Sequence, residues 1–384
     1  MINNQYLSTK TSRYNVLEIA PINKPIGTSG YSPIEKILLG LSKELPKLKG
    51  KRISTYTLCA KGSKVHNTIE TVEPIGNWHE IPSNLNEESY AKHFEKIKTI
   101  DDFDIIHNHT AEFIDFIANK KITKPVVNTV HISPNSLVVA RYYLQKEGSF
   151  YVAISQAHRK ELERNGVKVE RVIYNGIKID EIPYETEKED YVLCIGRITP
   201  DKGQDKAIDI AKKAGCKIVI VGPVQKKIED TEYFEQKIKP HIEMEIDFER
   251  DPSAGMREII NSDKKVIYCS EIGDSKYELY KRAKALLFPI QWEEPFGLVM
   301  IEALAAGTPV LAYNKGSVPE IIEEGKSGFI FDNDITALAN GIKLADTIYP
   351  SNCRKRAMDF SREMMAKNYA DFFEEVMEDL FNPF

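Results

Sequence analysis

The chain has 384 residues, of which 42% are hydrophobic and 28% charged, and its formal net charge is −5. This length exceeds one hydrophobic core and predicts two domains, while the composition is typical of a globular protein and excludes a disordered one. The acidic balance disfavours a nucleic-acid partner, and no apolar run is long enough to span a membrane.

The cysteines and the N-terminus indicate the compartment. Five cysteines are scattered along the chain without CxxC or metal-ligand spacing, as in a reducing environment. The N-terminus is polar and lacks the apolar core of a signal peptide. We therefore expect a cytoplasmic protein. The basic run at 43–52 is expected to be solvated surface, with weak peripheral contact to anionic lipid at the inner membrane face as the alternative.

The first half alternates predicted strands with predicted helices. Such alternation is typical of a parallel sheet covered by helices. Apolar, β-rich runs predict strands at 16–20, 52–59, 104–107, 126–130 and 151–154, and amphipathic patterns predict helices at 34–45 and 156–164.

A polar, acidic segment at 178–190 separates the two halves and is the best candidate for a linker. Asn175-Gly176, just before it, is expected to form a turn. We predict an N-terminal domain at 1–180, a C-terminal domain at 190–361 and a final helix at 362–384.

The second half opens with a predicted strand–helix–strand unit. Tyr191 to Ile195 and Lys217 to Val221 are strands, and Gln204 to Ala214 is a helix. The loop after the first strand carries Gly196-Arg197 and Lys202. Ligands of open α/β sheets bind beyond the carboxyl ends of the strands, where this loop lies. Its two positive charges suit a diphosphate; a solvated basic loop is the alternative.

Residues 293–310 are the most informative segment. Glu294 precedes a Pro-Phe-Gly turn, and a predicted helix from Leu298 to Ala306 carries Glu302 among apolar residues before Gly307 ends it. Were the interval fully helical, the two glutamate backbones would lie about 12 Å apart. Paired glycosidase carboxylates lie roughly 5–9.5 Å apart, so two ends of a nucleotide sugar fit better. Ordinary surface glutamates are the alternative.

GRITPDKG at 196–203 and EPFGLVMIEALAAGTPV at 294–310 together resemble the donor-site signature of retaining glycosyltransferases of family 4. Looser similarities include DIIHNHT at 104–110 and NTVH at 128–131, and the likeness spans nearly the whole chain. The resemblance implies an α/β GT-B fold, with two Rossmann-like domains whose parallel sheets face across a cleft. The first domain would bind the acceptor and the second the donor, with the final helix crossing back.

The resemblance also implies the site residues. No cofactor or metal is expected, because protein groups would balance the diphosphate charge, with Glu294 holding the transferred sugar and Glu302 the ribose. In PIGTSGYSP the family's glycines are separated rather than adjacent. The catalytic candidates are His131, Arg197, Lys202 and Glu294, and the donor-binding candidates are Gly27, Gly30, Gly196, Arg197, Lys202, Glu294, Phe296, Gly297, Leu298, Val299 and Glu302.

Histidines in the first half are further candidates. His131 ends a predicted strand at the carboxyl edge, and the resemblance implies a place near the reacting sugar. His107 and His109 alternate along a strand end, so they are expected on opposite faces, one of them towards the acceptor. Metal binding by this pair is not expected, since no third ligand is suitably spaced. Lys276 is expected to be solvated, with contact to the nucleotide as the alternative.

The expected reaction is transfer of a hexose from a nucleoside-diphosphate sugar to an acceptor hydroxyl, with retention at the anomeric carbon. Two alternatives stay open: a sugar phosphorylase or sugar-nucleotide epimerase of the same fold, and a non-catalytic sensor of nucleotide sugars. The nucleotide base, the sugar, the linkage and the oligomeric state are also open. So is the acceptor, which can be a glycan, a lipid-linked substrate or a small molecule.

Overall fold

The computed structural model describes residues 14–28, 33–76, 83–95, 102–110, 124–132 and 148–381. Within them, the first sheet has seven parallel strands in the order β3-β2-β1-β4-β5-β6-β7. Its strands are β1 (Tyr14–Ile19), β2 (Ile53–Cys59), β3 (Thr68–Glu70), β4 (Ile105–Asn108), β5 (Val126–Thr129), β6 (Ser149–Ala153) and β7 (Arg171–Val172). The predicted parallel sheet is confirmed, and β1 begins two residues before the predicted Val16.

Helices cover both faces of this sheet because successive strand residues point to opposite sides. The helices are α1 (Pro33–Glu44), α2 (Ser83–Glu95) and α3 (Gln156–Arg164). Val16 of β1 packs with Ile37 and Leu41 of α1 on one face. Its neighbour Leu17 packs in a second cluster with Phe94 of α2 on the other face.

The second sheet also has seven parallel strands, in the order β10-β11-β9-β8-β12-β13-β14. These strands are β8 (Tyr191–Ile195), β9 (Lys217–Val221), β10 (Met244–Ile246), β11 (Val266–Cys269), β12 (Ala285–Phe288), β13 (Val310–Tyr313) and β14 (Gly328–Phe331). Most of their residues are buried, as is typical of a parallel sheet covered on both sides.

The helices of the second half are α4 (Gln204–Ala214), α5 (Ile228–Tyr233), α6 (Pro252–Asn261), α7 (Lys276–Arg282), α8 (Leu298–Ala305), α9 (Val318–Ile321), α10 (Ile335–Gly341) and α11 (Pro350–Met358). Two apolar clusters lie on opposite faces of the sheet. Leu193 of β8 joins the cluster that contains α8 residues such as Ile301. Val192 joins the cluster that contains Ile208 of α4 and Leu338 of α10.

The last helix, α12 (Arg362–Phe381), packs on the first sheet rather than on the second. Phe373 is fully buried there beside α1 residues. The Arg362 guanidinium pairs with Glu44 of α1 at 2.6 Å, and both side chains are buried. The chain therefore returns to its first half at its end. No helix among the described residues has the length and apolar character needed to cross a membrane.

Two expectations about residues near α12 are wrong. Asn175-Gly176 does not form a turn, and the next residue, Ile177, forms a parallel bridge with Ser361 just before α12. In the basic run, Lys51 is not simply solvated. Its ammonium lies 2.6 Å from both Asp371 and Glu374 of α12, so part of the run attaches this helix.

Candidate active site

A cavity of about 550 Å³ lies at the carboxyl ends of both sheets. The first sheet contributes Lys24 after β1, His131 after β5 and Ile154 after β6. The second sheet contributes Gly196-Arg197 after β8 and Gly222 after β9. Crevices at strand carboxyl ends are where ligands bind in α/β folds, and the volume suits a ligand of moderate size. The cavity is therefore the candidate active site.

The loop after β8 brings Arg197 and Lys202 to this cavity. Gly222 has φ +149, and a Cβ there would overlap the carbonyl oxygen of Gly196, so the loops after β8 and β9 touch through backbone alone. The Nε atom of Arg197 is buried and has no hydrogen-bond partner among the described residues. A buried, unpaired guanidinium nitrogen beside a cavity is available for an anionic ligand.

Lys202 ends a short 3₁₀ turn and points across the cavity to the segment after β12. Its ammonium lies 2.6 Å from Glu294 Oε2 and 4.9 Å from the centre of the Trp292 ring. The next residue, Gly203, has φ +71, and a Cβ there would overlap the carbonyl oxygen of Pro289. Close backbone packing thus holds the two loops in register.

Glu294 is held from several sides and is nearly buried. Its Oε2 accepts hydrogen bonds from Lys202 Nζ and, at 3.0 Å, from Trp292 Nε1. Its carbonyl oxygen accepts from the Ser317 amide at 2.9 Å, while Gly316, with φ +56, leaves no room for a Cβ beside it. The carboxylate is therefore fixed at the cavity wall.

Helix α8 begins at Leu298, directly after Gly297 in the left-handed conformation (φ +83). Gly297, Leu298 and Val299 all line the cavity, so the amides of the first helical turn are near it. Such amides and the helix dipole favour an anion. Phe296 also borders the cavity, but its side chain is buried and packs on Tyr174.

Glu302, one turn along α8, is buried and paired with Lys276 of α7. The Lys276 ammonium lies 2.6 and 2.7 Å from the two carboxylate oxygens. Burial lowers the pKa of Lys276, although the Glu302 charge opposes that shift. The expectation of a solvated Lys276 is wrong. This lysine lines the cavity, and its partner lies 26 positions away, beyond the reach of any local sequence pattern.

His107 and His109 do not lie on opposite faces, so that expectation is also wrong. Strand β4 ends at Asn108, so the alternation does not extend to His109, and the two ring centres lie only 4.1 Å apart. Both rings contact the buried carboxylate of Glu18, His107 Nδ1 at 2.8 Å and His109 Nε2 at 3.1 Å. Neither histidine lines the cavity. His131 does, and its Nε2 lies 2.9 Å from His109 Nδ1.

Glu18 thereby supplies the third potential metal ligand that the sequence spacing did not reveal. Ligand atoms of Glu18, His107 and His109 all lie within 4.8 Å of one another. Their separations from the carboxylate are ordinary hydrogen-bond lengths, so hydrogen bonding accounts for the cluster.

Two Asp-x-Asp sequences, at 102–104 and 332–334, lie away from the cavity lining. Asp104 accepts from the Asn15 amide at 2.8 Å, and Asp334 caps α10 by accepting from the Thr336 amide at 2.7 Å. Both sequences therefore have structural partners.

The glycine-rich segment is only partly described. Gly27 has φ +80 and packs beside Lys64 rather than lining the cavity, and Gly30 lies outside the described residues. Asn175, predicted only as part of a turn, lines the cavity. Its Oδ1 is buried and has no hydrogen-bond partner in the described part of the chain.

Residues 249–359 match the family model described as glycosyl transferases group 1. An uncharacterized glycosyltransferase of Methanocaldococcus jannaschii is 25% identical over 347 residues, which are 85% of this chain and 90% of that protein. Spore coat protein SA of Bacillus subtilis is 33% identical over 102 residues, so the match covers only 26% of its length.

Two solved structures are similar over nearly the whole chain. Sucrose-phosphate synthase from Thermosynechococcus elongatus has a TM-score of 0.72 at 18% identity, covering 95% of this chain and all of that one. HepE of Anabaena, solved with UDP-glucose, has a TM-score of 0.64 at 20% identity, covering 94% and 99%. The chain thus has the GT-B fold of these structures, and its residues 249–359 match the group 1 glycosyltransferase model. The expected α/β fold, with two parallel sheets, is confirmed.

Proposed function

We propose that this glycosyltransferase moves a hexose from a nucleoside-diphosphate sugar to an acceptor hydroxyl, with retention of anomeric configuration and without a metal, as in family 4. One observation carries the proposal. A single cavity combines Arg197, Lys202, the start of α8 and two fixed glutamates from the second sheet with His131 from the first. Cationic groups, helix amides and hydroxyl-binding carboxylates match the successive parts of a nucleotide sugar.

The diphosphate would lie against Arg197, Lys202 and the amides at Gly297-Leu298. As the bond to the leaving phosphate breaks, negative charge grows on the diphosphate. Donors fixed in advance stabilise that charge more than the ground state. The three elements that carry these groups are locked together by glycine contacts and by the Lys202–Glu294 pair, so little reorganisation is needed. Protein groups would supply the charge that a metal provides elsewhere.

The two glutamates would recognise hydroxyl groups at the two ends of the donor. Glu294, held by Lys202 and Trp292, would face the transferred sugar, and Glu302 would face the ribose. Lys276 neutralises Glu302, so the ribose would meet a paired carboxylate rather than a free buried charge. The segment 271–273, which also lines the cavity, would lie near the base.

Retention would proceed by displacement on one face of the sugar. The described carboxylates that line the cavity are Glu271, Glu294 and Glu302, and the last two are held in ion pairs. The leaving phosphate would therefore help to deprotonate the acceptor. The acceptor would enter from the side of the first sheet, and contact between the two halves would exclude water.

The experiment is a panel of uridine, guanosine, adenosine and cytidine diphosphate sugars with a chelator present. UDP-glucose comes first because HepE was solved with it. We expect one nucleotide to raise the melting temperature and to release sugar slowly, with the retained anomer as product by NMR. A ligand at a hundredfold excess over Kd stabilises the folded state by about 2.7 kcal/mol. Inverted product, or dependence on metal, would contradict the corresponding part of the proposal.

Controls separate the alternatives. Activity only with inorganic phosphate would indicate a phosphorylase, sugar epimerisation on the intact donor an epimerase, and binding without any turnover a sensor. Lys202→Ala should abolish the thermal shift. Lys206→Ala should not, because Lys206 pairs with Asp205 and does not line the cavity.

A further inference from the structure

A line of hydrogen bonds runs from the buried core of the first sheet to the cavity. It starts at the fully buried carboxylate of Glu18, whose Oε2 lies 3.1 Å from His109 Nε2. The other nitrogen of that ring, Nδ1, lies 2.9 Å from His131 Nε2. His131 lines the cavity. The core carboxylate is thus connected to a cavity-lining imidazole through one intervening ring.

The charge on Glu18 fixes where protons lie in this line. Burial by itself raises the pKa of Glu18, but the attraction of His107 and the hydrogen bonds from His107 and His109 outweigh burial and hold the pKa at about 2. The carboxylate is therefore ionised near neutral pH and can only accept hydrogen bonds. His109 Nε2 lies 3.1 Å from Glu18 Oε2 and 3.3 Å from His107 Nδ1, and it donates to the carboxylate, which is the nearer of the two.

The next proton position follows from the first. Burial lowers the pKa of His109 to about 4, so this ring holds one proton near neutral pH. That proton is on Nε2, which leaves Nδ1 as an acceptor, and His131 Nε2 must donate to it. The reverse arrangement would set a lone pair of His109 against the ionised carboxylate in a buried site, which is costly.

We propose that Glu18 and His109 are positioning residues that hold His131 as its Nε2–H tautomer, so that Nδ1 accepts a hydrogen bond from a hydroxyl of the bound sugar. In this form His131 orients a hydroxyl and does not donate to a phosphate oxygen. The identity of the ligand group rests on the proposed function. The tautomer rests only on the contacts of Glu18, His109 and His131.

On the side away from the cavity, contacts with Thr129 and Tyr369 orient the His107 ring. Thr129 Oγ1 lies 2.8 Å from His107 Nε2 and 2.8 Å from the hydroxyl of Tyr369 on α12. Thr129 Oγ1 therefore links the His107 ring to the last helix. His107 thereby holds the Glu18 carboxylate in place, and the last helix closes the network.

The direct test is ¹⁵N NMR of the full chain labelled at histidine, near neutral pH. His131→Gln assigns the His131 signals, and exposed His66 serves as an internal reference. We expect His131 to be neutral, with its proton on Nε2. A proton on Nδ1, a mixture of tautomers, or a doubly protonated ring in the wild type would overturn the inference. This readout does not require activity, so its failure is distinct from failure of the proposed function.

A variant pair tests the role of Glu18. In Glu18→Gln the amide can donate as well as accept, so it no longer dictates the His109 tautomer. We expect a tautomer mixture at His131 and a kcat/KM for the donor lower by roughly ten- to hundredfold, the usual cost of losing a partner that orients a functional histidine. Thr129→Ser, the control, keeps the hydroxyl and should retain both the tautomer and the rate.

Two results would overturn the role of Glu18. One is a Glu18→Gln enzyme with His131 still protonated on Nε2 and an unchanged rate. The other is an equal loss of rate in Thr129→Ser. If Glu18→Gln does not fold, the wild-type spectrum alone decides the tautomer.

Discussion

The two walls of the cavity are built differently. The wall from the second sheet consists of loops and helix starts joined by ion pairs, Lys202 with Glu294 and Lys276 with Glu302, and by backbone contacts at glycines. The wall from the first sheet rests on a buried hydrogen-bond network of Glu18, His107 and His109 behind His131. The first arrangement holds paired charges at the cavity wall, whereas the second is a buried hydrogen-bond network that ends at one imidazole.

The largest effect is expected at a glycine of the second wall. Gly222→Ala would drive a Cβ into the carbonyl of Gly196, so we expect a loss of more than about 4 kcal/mol in the free energy of unfolding, or no folded protein. Gly215→Ala is the matched control. Gly215 also has positive φ (+70) but open space around it, and should lose only about 1–2 kcal/mol. Urea unfolding measures the free energy of unfolding of both variants. Equal losses would contradict the close contact between Gly222 and the Gly196 carbonyl.

The next effect concerns the buried ion pair of the second wall. Lys276→Met leaves the Glu302 carboxylate buried without its cation, so stability should fall by about 3–5 kcal/mol. Lys276→Met/Glu302→Leu should recover much of the stability.

Lys281→Met is the control for this pair because its partners, Glu185 and Glu278, are substantially exposed. Its effect should stay below about 1 kcal/mol. Failure of the double variant to recover stability would show that the loss in Lys276→Met does not come from the unpaired Glu302 charge alone.

The first half should respond to acid. Burial lowers the pKa of His93 to about 3 and those of His109 and His158 to about 4, from an ordinary 6.5. These imidazoles bind protons more readily in the unfolded chain than in the folded one. Their contribution to the free energy of unfolding is therefore complete above pH 6.5 and is lost as pH falls towards 4. The free energy of unfolding should fall by about 1.4 kcal/mol per pH unit for each ring.

The measurement is a series of urea unfolding curves between pH 7 and 4. His93→Phe removes one buried imidazole outside the cavity lining. The slope of the free energy of unfolding against pH should then be smaller by about 1.4 kcal/mol per pH unit. A flat profile in the wild type would mean that these histidines titrate alike in the folded and unfolded states.

The smallest effect is expected at the attachment of α12. Lys51 pairs with Asp371 and Glu374, but all three side chains are partly exposed. Lys51→Ala should therefore cost at most about 1 kcal/mol and less at high salt. Lys47→Ala, which removes the adjacent pair with Glu44, is the control. A loss of several kcal/mol at Lys51 would mean that this pair, rather than the apolar face of α12, anchors the helix.

The same contrast explains what the sequence could predict. The loop at 196–203 and the segment at 294–302 are each continuous in sequence, so the family signature that they resemble can be read locally. Arg197, Lys202, Glu294 and Glu302 all line the cavity. Seven of the fourteen described strands (β1, β2, β4, β5, β6, β8 and β9) also followed from apolar runs. The network behind His131 joins residues as far apart as Glu18 and His109, 91 positions along the chain, and no local pattern reports such a contact.

Two failures have the same origin. The sequence alone favours a solvated Lys276, but its partner, Glu302, lies on another helix. His107 and His109 were placed on opposite faces by extending strand alternation one residue beyond the end of β4. In both cases tertiary contact decided the position of a side chain that local periodicity could not.

The most direct test of the central claim is calorimetric binding of UDP, and of the other nucleoside diphosphates, to the wild type, Arg197→Ala and Lys206→Ala with a chelator present. A hydrogen bond that involves a charged group contributes about 1.5–3 kcal/mol. The account predicts metal-free binding to the wild type and to Lys206→Ala, and binding at least tenfold weaker to Arg197→Ala. Equal affinity for all three proteins, or no binding without metal, would contradict it.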